Sequence, residues 1–325
     1  METLKILFVA VLIFLVVVVF KWGRSIDIAF NDELMDPYKE PNSIVNADIY
    51  NKYKTLGITE RKANKILICG CVRDVSKNIG KIKKNIEFMG SLFKDYRCLI
   101  VENDSTDSTR KLLLDLAKSN PKITILGCGG INEDECKLQL PKTDNSVDKQ
   151  RMDKMALVRN VYLEYIKANK DKLYSDYKYS CVWDLDIVGV VYKSGIENTM
   201  GYFRVHDSIS AMCANCYYKV GPIPVYYDTY AHLEKGDTFD VNYKLLHDIK
   251  TAVTNIYVTG EYPKEVESCF SGFTMYRLDD MVKSKYDSSE DEESIQCEHT
   301  YLHRKLEGKC MVNPSLNFYM LNNEY

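Results

Sequence analysis

The sequence predicts an α/β domain with a mostly parallel central sheet flanked by helices, carried behind an N-terminal membrane helix. Three observations predict it: an unbroken apolar run from Ile6 to Phe20, a polar stretch holding Pro37 and Pro41, and a repeated alternation of apolar strands with helically spaced segments from Lys65 onward. At 325 residues the chain exceeds a typical single domain. The division that fits is a membrane anchor over 1–22, a stem or linker over 23–64 and one large domain over 65–325.

The apolar run is extended by Leu4 and Trp22, so the membrane contact is read over residues 4–22. A span of about 20 residues crosses a bilayer as a helix. The run ends in four valines and Phe20, followed by Lys21, Trp22 and Arg24, with no small-x-small cleavage site after it, which favours an uncleaved anchor over a signal peptide. Lys5 and the α-amino group balance Lys21 and Arg24, so charge does not set the orientation. From Gly23 to Asn64 no sustained period appears, and this stretch reads as a stem.

Within the domain, Ile66–Cys69 is a short buried strand and Ile79 to Phe93 carries helical spacing through Ile82, Ile86 and Met89. The strand Cys98–Val101 leads into a polar cluster, Asp104 to Ser108, whose oxygens can cap the helix that runs through Leu112, Leu113, Leu116 and Ala117 and stops before Pro121. A third strand follows at Ile123–Leu126. Three strands alternating with helices argue for a parallel sheet with helices on its faces, which puts ligands at the C-terminal ends of the strands. A helix bracketed by Arg151 and Arg159 leads to the strand Tyr179–Trp183, and further strands are read around Ile209–Met212 and Phe273–Tyr276. The acidic stretch Ser284 to Ser294 reads as a solvated loop.

Composition narrows the function. A chain 27% charged with a formal net charge of −3 makes no broad electrostatic case for nucleic acid, and none is expected as a partner. All 11 cysteines follow the anchor, odd in number and without framework spacing, so they do not fix the redox compartment. Cys213-x-x-Cys216 lacks a second pair at zinc-site spacing and is read as structural or incidental.

The chemistry gathers on Asp184-Leu185-Asp186, where a buried strand runs out. Residues two apart in an extended segment point to one side. Paired carboxylates there suit a hard divalent cation, and the cation neutralises a diphosphate leaving group. A surface turn is the alternative for such a triplet, and the position after Val182-Trp183 favours the functional one. Arg73, after the first strand in the same layer, offers a forked guanidinium to phosphate oxygens.

Seven blocks then carry a family resemblance over most of the chain from Lys65: Cys71-Val72-Arg73-Asp74, Val101 to Thr109, Arg159-Asn160, Trp183 to Asp186, Tyr226 to Ala231, Ser268 to Phe273, and Cys297-Glu298-His299. In order and number they resemble a group of GT-A-fold glycosyltransferases found in giant viruses and some eukaryotes, distantly similar to fungal capsule-associated mannosyltransferases. Related sequences tend to have two glycines after the Cys-Phe pair, where this chain has Ser271-Gly272. The resemblance implies that the block holding Glu102, Asn103 and Asp107 binds the donor's base or ribose, that Arg159 approaches the donor, and that a late histidine, His299 or His303, completes the metal shell opened by Asp184 and Asp186. Asp184 also reaches the ribose or a bound water in that scheme. A helix cap for the Glu102 block and a solvated face for Arg159 stand beside these roles.

The function expected is therefore metal-dependent transfer of a monosaccharide from a nucleoside diphosphate sugar to a hydroxyl of a glycan or glycoprotein acceptor. Mn2+ is preferred to Mg2+ if an imidazole joins the oxygens. Glu298 or Asp228 would be the carboxylate that handles the acceptor hydroxyl, with tyrosines around Asp228 packing on a sugar ring. A nucleotidyltransferase acting on a sugar phosphate should show a glycine-rich loop after the first strand, and Ile68–Arg73 has only Gly70. A membrane-tethered glycan-binding module without catalysis is opposed by the intact aspartates. The localisation expected is a single-pass type II protein of a secretory-pathway or virus-associated membrane.

Overall fold

A computed structural model describes residues 36–41, 43–127, 149–220, 223–237, 244–255, 257–288 and 296–320. The expected anchor, and the stem as far as residue 35, lie outside them. Among the described residues no helix is long and apolar enough to cross a membrane.

The strands form one sheet because their apolar runs must be covered on both faces. Strand β1 (Lys65–Val72) shows this directly: Ile66 and Ile68 join one buried cluster, Leu67 and Cys69 the other, and all four are fully buried. It pairs in parallel with β2 (Asp95–Glu102) and β4 (Tyr179–Trp183), and β2 pairs in parallel with β3 (Ile123–Gly127). Helix α2 (Ile79–Ser91) turns Ile82, Ile86, Met89 and Gly90 inward, α3 (Thr109–Ser119) turns Leu113 and Leu116, and α4 (Lys149–Leu173) covers the second face with Ala156, Val158, Tyr162, Leu163 and Ile166. Helices α2 and α3 join parallel neighbours, which require a crossover, and α4 carries the chain from β3 back across to β4 beside β1.

Beyond β4 the sheet changes character. Strand β9 (Phe273–Arg277) is antiparallel to β4, and β6 (Ile209–Val220) is antiparallel to β9. Strand β10 (Lys309–Met320) is parallel to β6, and β5 (Gly189–Val191) is antiparallel to β10. Short strands β7 (Ile223–Tyr226) and β8 (Lys264–Val266) pair with β6 and β10. The order β3-β2-β1-β4-β9-β6-β10-β5 is thus a mixed sheet, and the expected mostly parallel sheet holds only for its first four strands.

The stem also needs correction. Residues Ala47–Ala63 form helix α1, which docks on α5 (Lys193–Val205). The two backbones meet where neither helix has a side chain: a Cβ on Gly57 would lie 1.6 Å from the Glu197 carbonyl oxygen, and one on Gly201 would lie 1.9 Å from that of Tyr53. Arg61 then places its guanidinium 2.6 Å from Glu197, with both side chains buried, and also donates to the Leu92 carbonyl. Packed structure therefore starts before Lys65. The acidic loop is corrected in part as well, since Tyr286 is buried with its hydroxyl bonded to Tyr162 and Asn160 pins its backbone. Residues 289–295 lie outside the described structure.

Candidate active site

The C-terminal ends of β1, β2 and β4 meet at one edge, where the chain runs outward from β1 to β2 and β3 on one side and returns from β3 to β4 on the other, the position at which open α/β sheets leave a crevice. A cleft of ≈ 350 Å³ opens there, lined by Cys71, Val72 and Arg73 after β1, Asn103 after β2, Asp184, Asp186 and Ile187 after β4, Arg151, Lys154, Met155, Val158 and Arg159 from α4, and Tyr227. The two aspartates share the cleft through a turn rather than an extended strand. The Asp184 N–H donates to the Gly272 carbonyl, Ile187 N–H closes onto the Asp184 carbonyl, and Leu185 between them is buried in the core.

Charge is arranged in two groups. On the acidic side, burial and the proximity of Asp184 push the Asp186 carboxyl upward, although its side chain opens to the cleft. The Asp184 carboxyl is also raised by burial, against the pull of Arg159. Asp228, in left-handed backbone at φ 66 and accepting the Ser271 N–H at 3.2 Å, is pushed up to about 7 by burial and by the charges of Asp184 and Glu298. On the basic side, burial and the neighbouring Arg73 lower the Lys154 ammonium.

Arg159 joins the acidic groups. It is buried, donating through Nε to Glu298 Oε1 at 2.8 Å and through Nη2 to Asp184 Oδ1 at 2.8 Å, with its guanidinium 4.8 Å from the Phe270 ring centre. Its Nη1 has no hydrogen-bond partner among the described residues. The predicted Arg159, Asp184 and Glu298 therefore form one connected set. Glu298, at the start of helix α8 (Glu298–Arg304), is held by Arg159 and by the Cys297 thiol.

Other expected residues fall elsewhere. Asn103 lines the cleft, and its Oδ1 is buried and unpartnered, so it remains open to a donor group. Glu102 is fully buried and committed to its turn, accepting the Ser105 N–H and the Arg110 Nε, and Asp107 accepts the N–H groups of Ser76 and Thr109. Both tie loops together, and neither lines the cleft, where the donor-binding role would have placed them. Asp74 helps from the other loop, accepting from Thr106.

Neither candidate for the late histidine of the metal shell reaches the aspartate pair among the described residues. His303 is a satisfied core residue, with Nε2 bonded to the Tyr276 hydroxyl at 2.9 Å and Nδ1 to Ser268 Oγ at 3.2 Å, and burial lowers its pKa to about 3. His299 is stacked on Phe270 at 3.8 Å, 1% exposed, with neither ring nitrogen hydrogen-bonded among the described residues. The one described group of three metal-type ligands within reach of one another is Cys213, Cys269 and Cys310, so no histidine joins the aspartate pair here. Sequence reasoning passed over Lys154. Its signal was helical spacing, since Arg151, Lys154 and Val158 lie on one face of α4 at i, i+3 and i+7.

With the geometry in place, the comparisons identify the class. A model of the family described as Cryptococcal mannosyltransferase 1 matches residues 71–312. That match spans well over half of the chain, and the chain belongs to this family of glycosyltransferases. No curated relative matches it in sequence. Among solved structures, S. aureus TarS 1–349 in complex with UDP-GlcNAc has a TM-score of 0.41 at 10% identity, with 80% of this chain and 59% of that chain covered. GalNAc-T7 with UDP, GalNAc and Mn2+ has a TM-score of 0.44 at 9% identity, covering 81% and 45%. The mannosyltransferase PcManGT from Pyrobaculum calidifontis, in complex with GDP-Man and Mn2+, has a TM-score of 0.42 at 10% identity, covering 85% and 65%. The chain thus spans less than two thirds of each of these proteins, and at these scores the likenesses transfer no residue role.

Proposed function

We propose that this GT-A-type domain transfers a monosaccharide from a nucleoside diphosphate sugar, with a divalent cation, to a hydroxyl of a glycan or glycoprotein acceptor. The observation that carries the reading is one cleft lined by both signs of charge: the carboxylates of Asp184 and Asp186, and the cations of Arg73, Arg151 and Lys154. A cation bound to a diphosphate supplies the counter-charge for both. The aspartates fit such an ion because two carboxylates separated by one residue line the same cleft, and Asp184 and Asp186 would hold Mn2+ or Mg2+, whose bound form would neutralise the leaving diphosphate.

The chain's own residues do the rest. Arg73, Arg151 and Lys154 bind phosphate oxygens, and Asn103 Oδ1 accepts from the base or ribose. Arg159 fixes Asp184 against Glu298, and its free Nη1 is a further donor aimed among these groups. Asp228 is the better acceptor base of the two expected carboxylates in an inverting reaction, because a carboxyl held near neutral pH accepts a proton effectively whereas Glu298 is held by Arg159. The same reading keeps residues 1–22 as an uncleaved anchor in a single-pass type II protein, supported by the run Ile6 to Phe20.

The test is a screen of nucleotide sugars with and without Mn2+, followed by the variant Asp186→Ala with circular dichroism as the folding control. Transfer should require the metal, and Asp186→Ala should lose metal-dependent donor binding while keeping its fold. Full activity of that variant at unchanged metal demand would overturn the assignment.

A further inference from the structure

We propose that the helix Lys244–Thr254, termed α6, is a membrane-facing helix that rests on the bilayer holding the N-terminal apolar segment, an inference that builds on the anchor proposed above. A surface helix ordinarily turns its apolar stripe to the core and its polar side to water. This one does the reverse. Leu245, Leu246 and Ile249, neighbours at helical spacing, are 74%, 66% and 56% exposed. The side packed on the protein is polar: His247 Nε2 donates to the Thr229 carbonyl at 2.8 Å, Thr229 Oγ1 donates to Asp248 at 2.7 Å, and Thr251 is buried.

The place where the chain joins the domain identifies the occupant. The chain meets the domain at Pro37, whose carbonyl accepts the Lys193 N–H, and the strap that follows is tied down with Val45 N–H donating to the Thr259 carbonyl and Asn46 Nδ2 to that of Gly260, five and six residues past the end of α6. Residues 21–35 reach at most ~50 Å even fully extended, so a segment inserted at 6–20 holds this side of the domain near the bilayer. Lys250, exposed on the same helix, suits headgroup phosphates, and Tyr262, 62% exposed just beyond the strap contact, is the residue type that settles at membrane interfaces. Through Thr229 the helix is fixed one residue from Asp228, so the docked surface and the cleft belong to one body, and acceptors carried by the membrane come within its reach.

The experiment uses the full chain reconstituted in vesicles of phosphatidylcholine and phosphatidylserine, with p-benzoylphenylalanine in place of Leu246 or, as the control, in place of Leu173, which is 52% exposed at the end of α4. Irradiation should give lipid adducts at position 246 at least fivefold above those at 173. Adducts to a second copy, or to another part of the same chain, would show a protein occupant and overturn the proposal, as would lipid labelling equal to the control. Carbonate extraction of the same vesicles reports the anchor separately. Protein that resists extraction yet gives no excess lipid adduct defeats the helix assignment alone, while extractable protein defeats the anchor and the helix assignment with it. Neither readout depends on transfer activity.

Discussion

Asp186 in the cleft and Asp228 next to the cleft-lining Tyr227 hold their protons more tightly than free carboxyls do. Burial and like charge raise Asp186 and Asp228 above the ordinary carboxyl range near about 4. The folded protein therefore binds more protons than the unfolded chain between about pH 4 and about pH 7. The sign follows: without metal these groups make stability fall as pH rises through that window, and a divalent cation, which replaces the protons, should stabilise more at pH 8 than at pH 5.5. Thermal unfolding at both values with and without Mn2+ checks this. Equal Mn2+ shifts at the two values would mean that the carboxylates do not hold the ion. At this scale the sequence showed Asp184 and Asp186 because a strand end and alternate spacing are local properties. It could not show that Glu102 would be consumed by Arg110, or that His303 would be closed off by Tyr276, since those partners lie on other elements. Ser271 is a case the sequence did flag. It occupies left-handed backbone at φ 56, where a glycine is unstrained, and its hydroxyl is bonded to Tyr226.

Elements with a strong apolar period were legible, and those held by a few special contacts were not. Helices α2 and α3 and the strands β1 to β4 lie where periodicity places them, because each buries a continuous apolar face. Helix α1 escaped notice because it buries only Tyr50, Gly57 and Arg61, which leaves no stripe to read. Its attachment rests on a close glycine contact and one buried ion pair. Replacing Arg61 with Met is expected to destabilise the fold by about 3 kcal/mol, because the buried Glu197 would keep only Lys193, 3.8 Å away and partly exposed. Urea unfolding checks it, and a loss under about 1 kcal/mol would show that Glu197 is relieved some other way. For the same reason a protein beginning at Asn64 should lose cooperative unfolding, whereas one beginning at Asp36 should keep it.

At the scale of the molecule, the half that sequence periodicity predicted carries the strand ends that open the cleft, and the antiparallel half supplies the groups that close it. The loop Ser268–Gly272 is the hinge between them: Phe270 packs on Arg159 and His299, the Ser271 N–H serves Asp228, and the Gly272 carbonyl takes the Asp184 N–H. Long-range pairing of this kind leaves no local trace in sequence, which is why the roles at this end were legible only as resemblance. The loop is fastened to β6 by a disulfide between Cys213 and Cys269, 56 residues apart in sequence. Closing a loop of that size is worth about 2–4 kcal/mol. Cys310 on the neighbouring strand complicates the loss of this bridge, since its sulfur lies 3.7 Å from that of Cys269 and 3.9 Å from that of Cys213. Once Cys213 is replaced by Ser, the Cys269 thiol retains a buried partner with which an oxidant can join it. Cys213→Ser should therefore be destabilised less than the double variant Cys213→Ser with Cys310→Ser, which has no sulfur left for Cys269. Burial pushes the Cys310 thiol up to about 12, so the new bond should form slowly and be seen only after prolonged oxidation. Peptide mapping under non-reducing conditions, with urea unfolding of both variants, decides the matter. A Cys269–Cys310 bridge in the single variant and a further loss of about 2 kcal/mol in the double one are expected, and equal stability with no such bridge would leave the 213–269 link as the sole fastening of the loop.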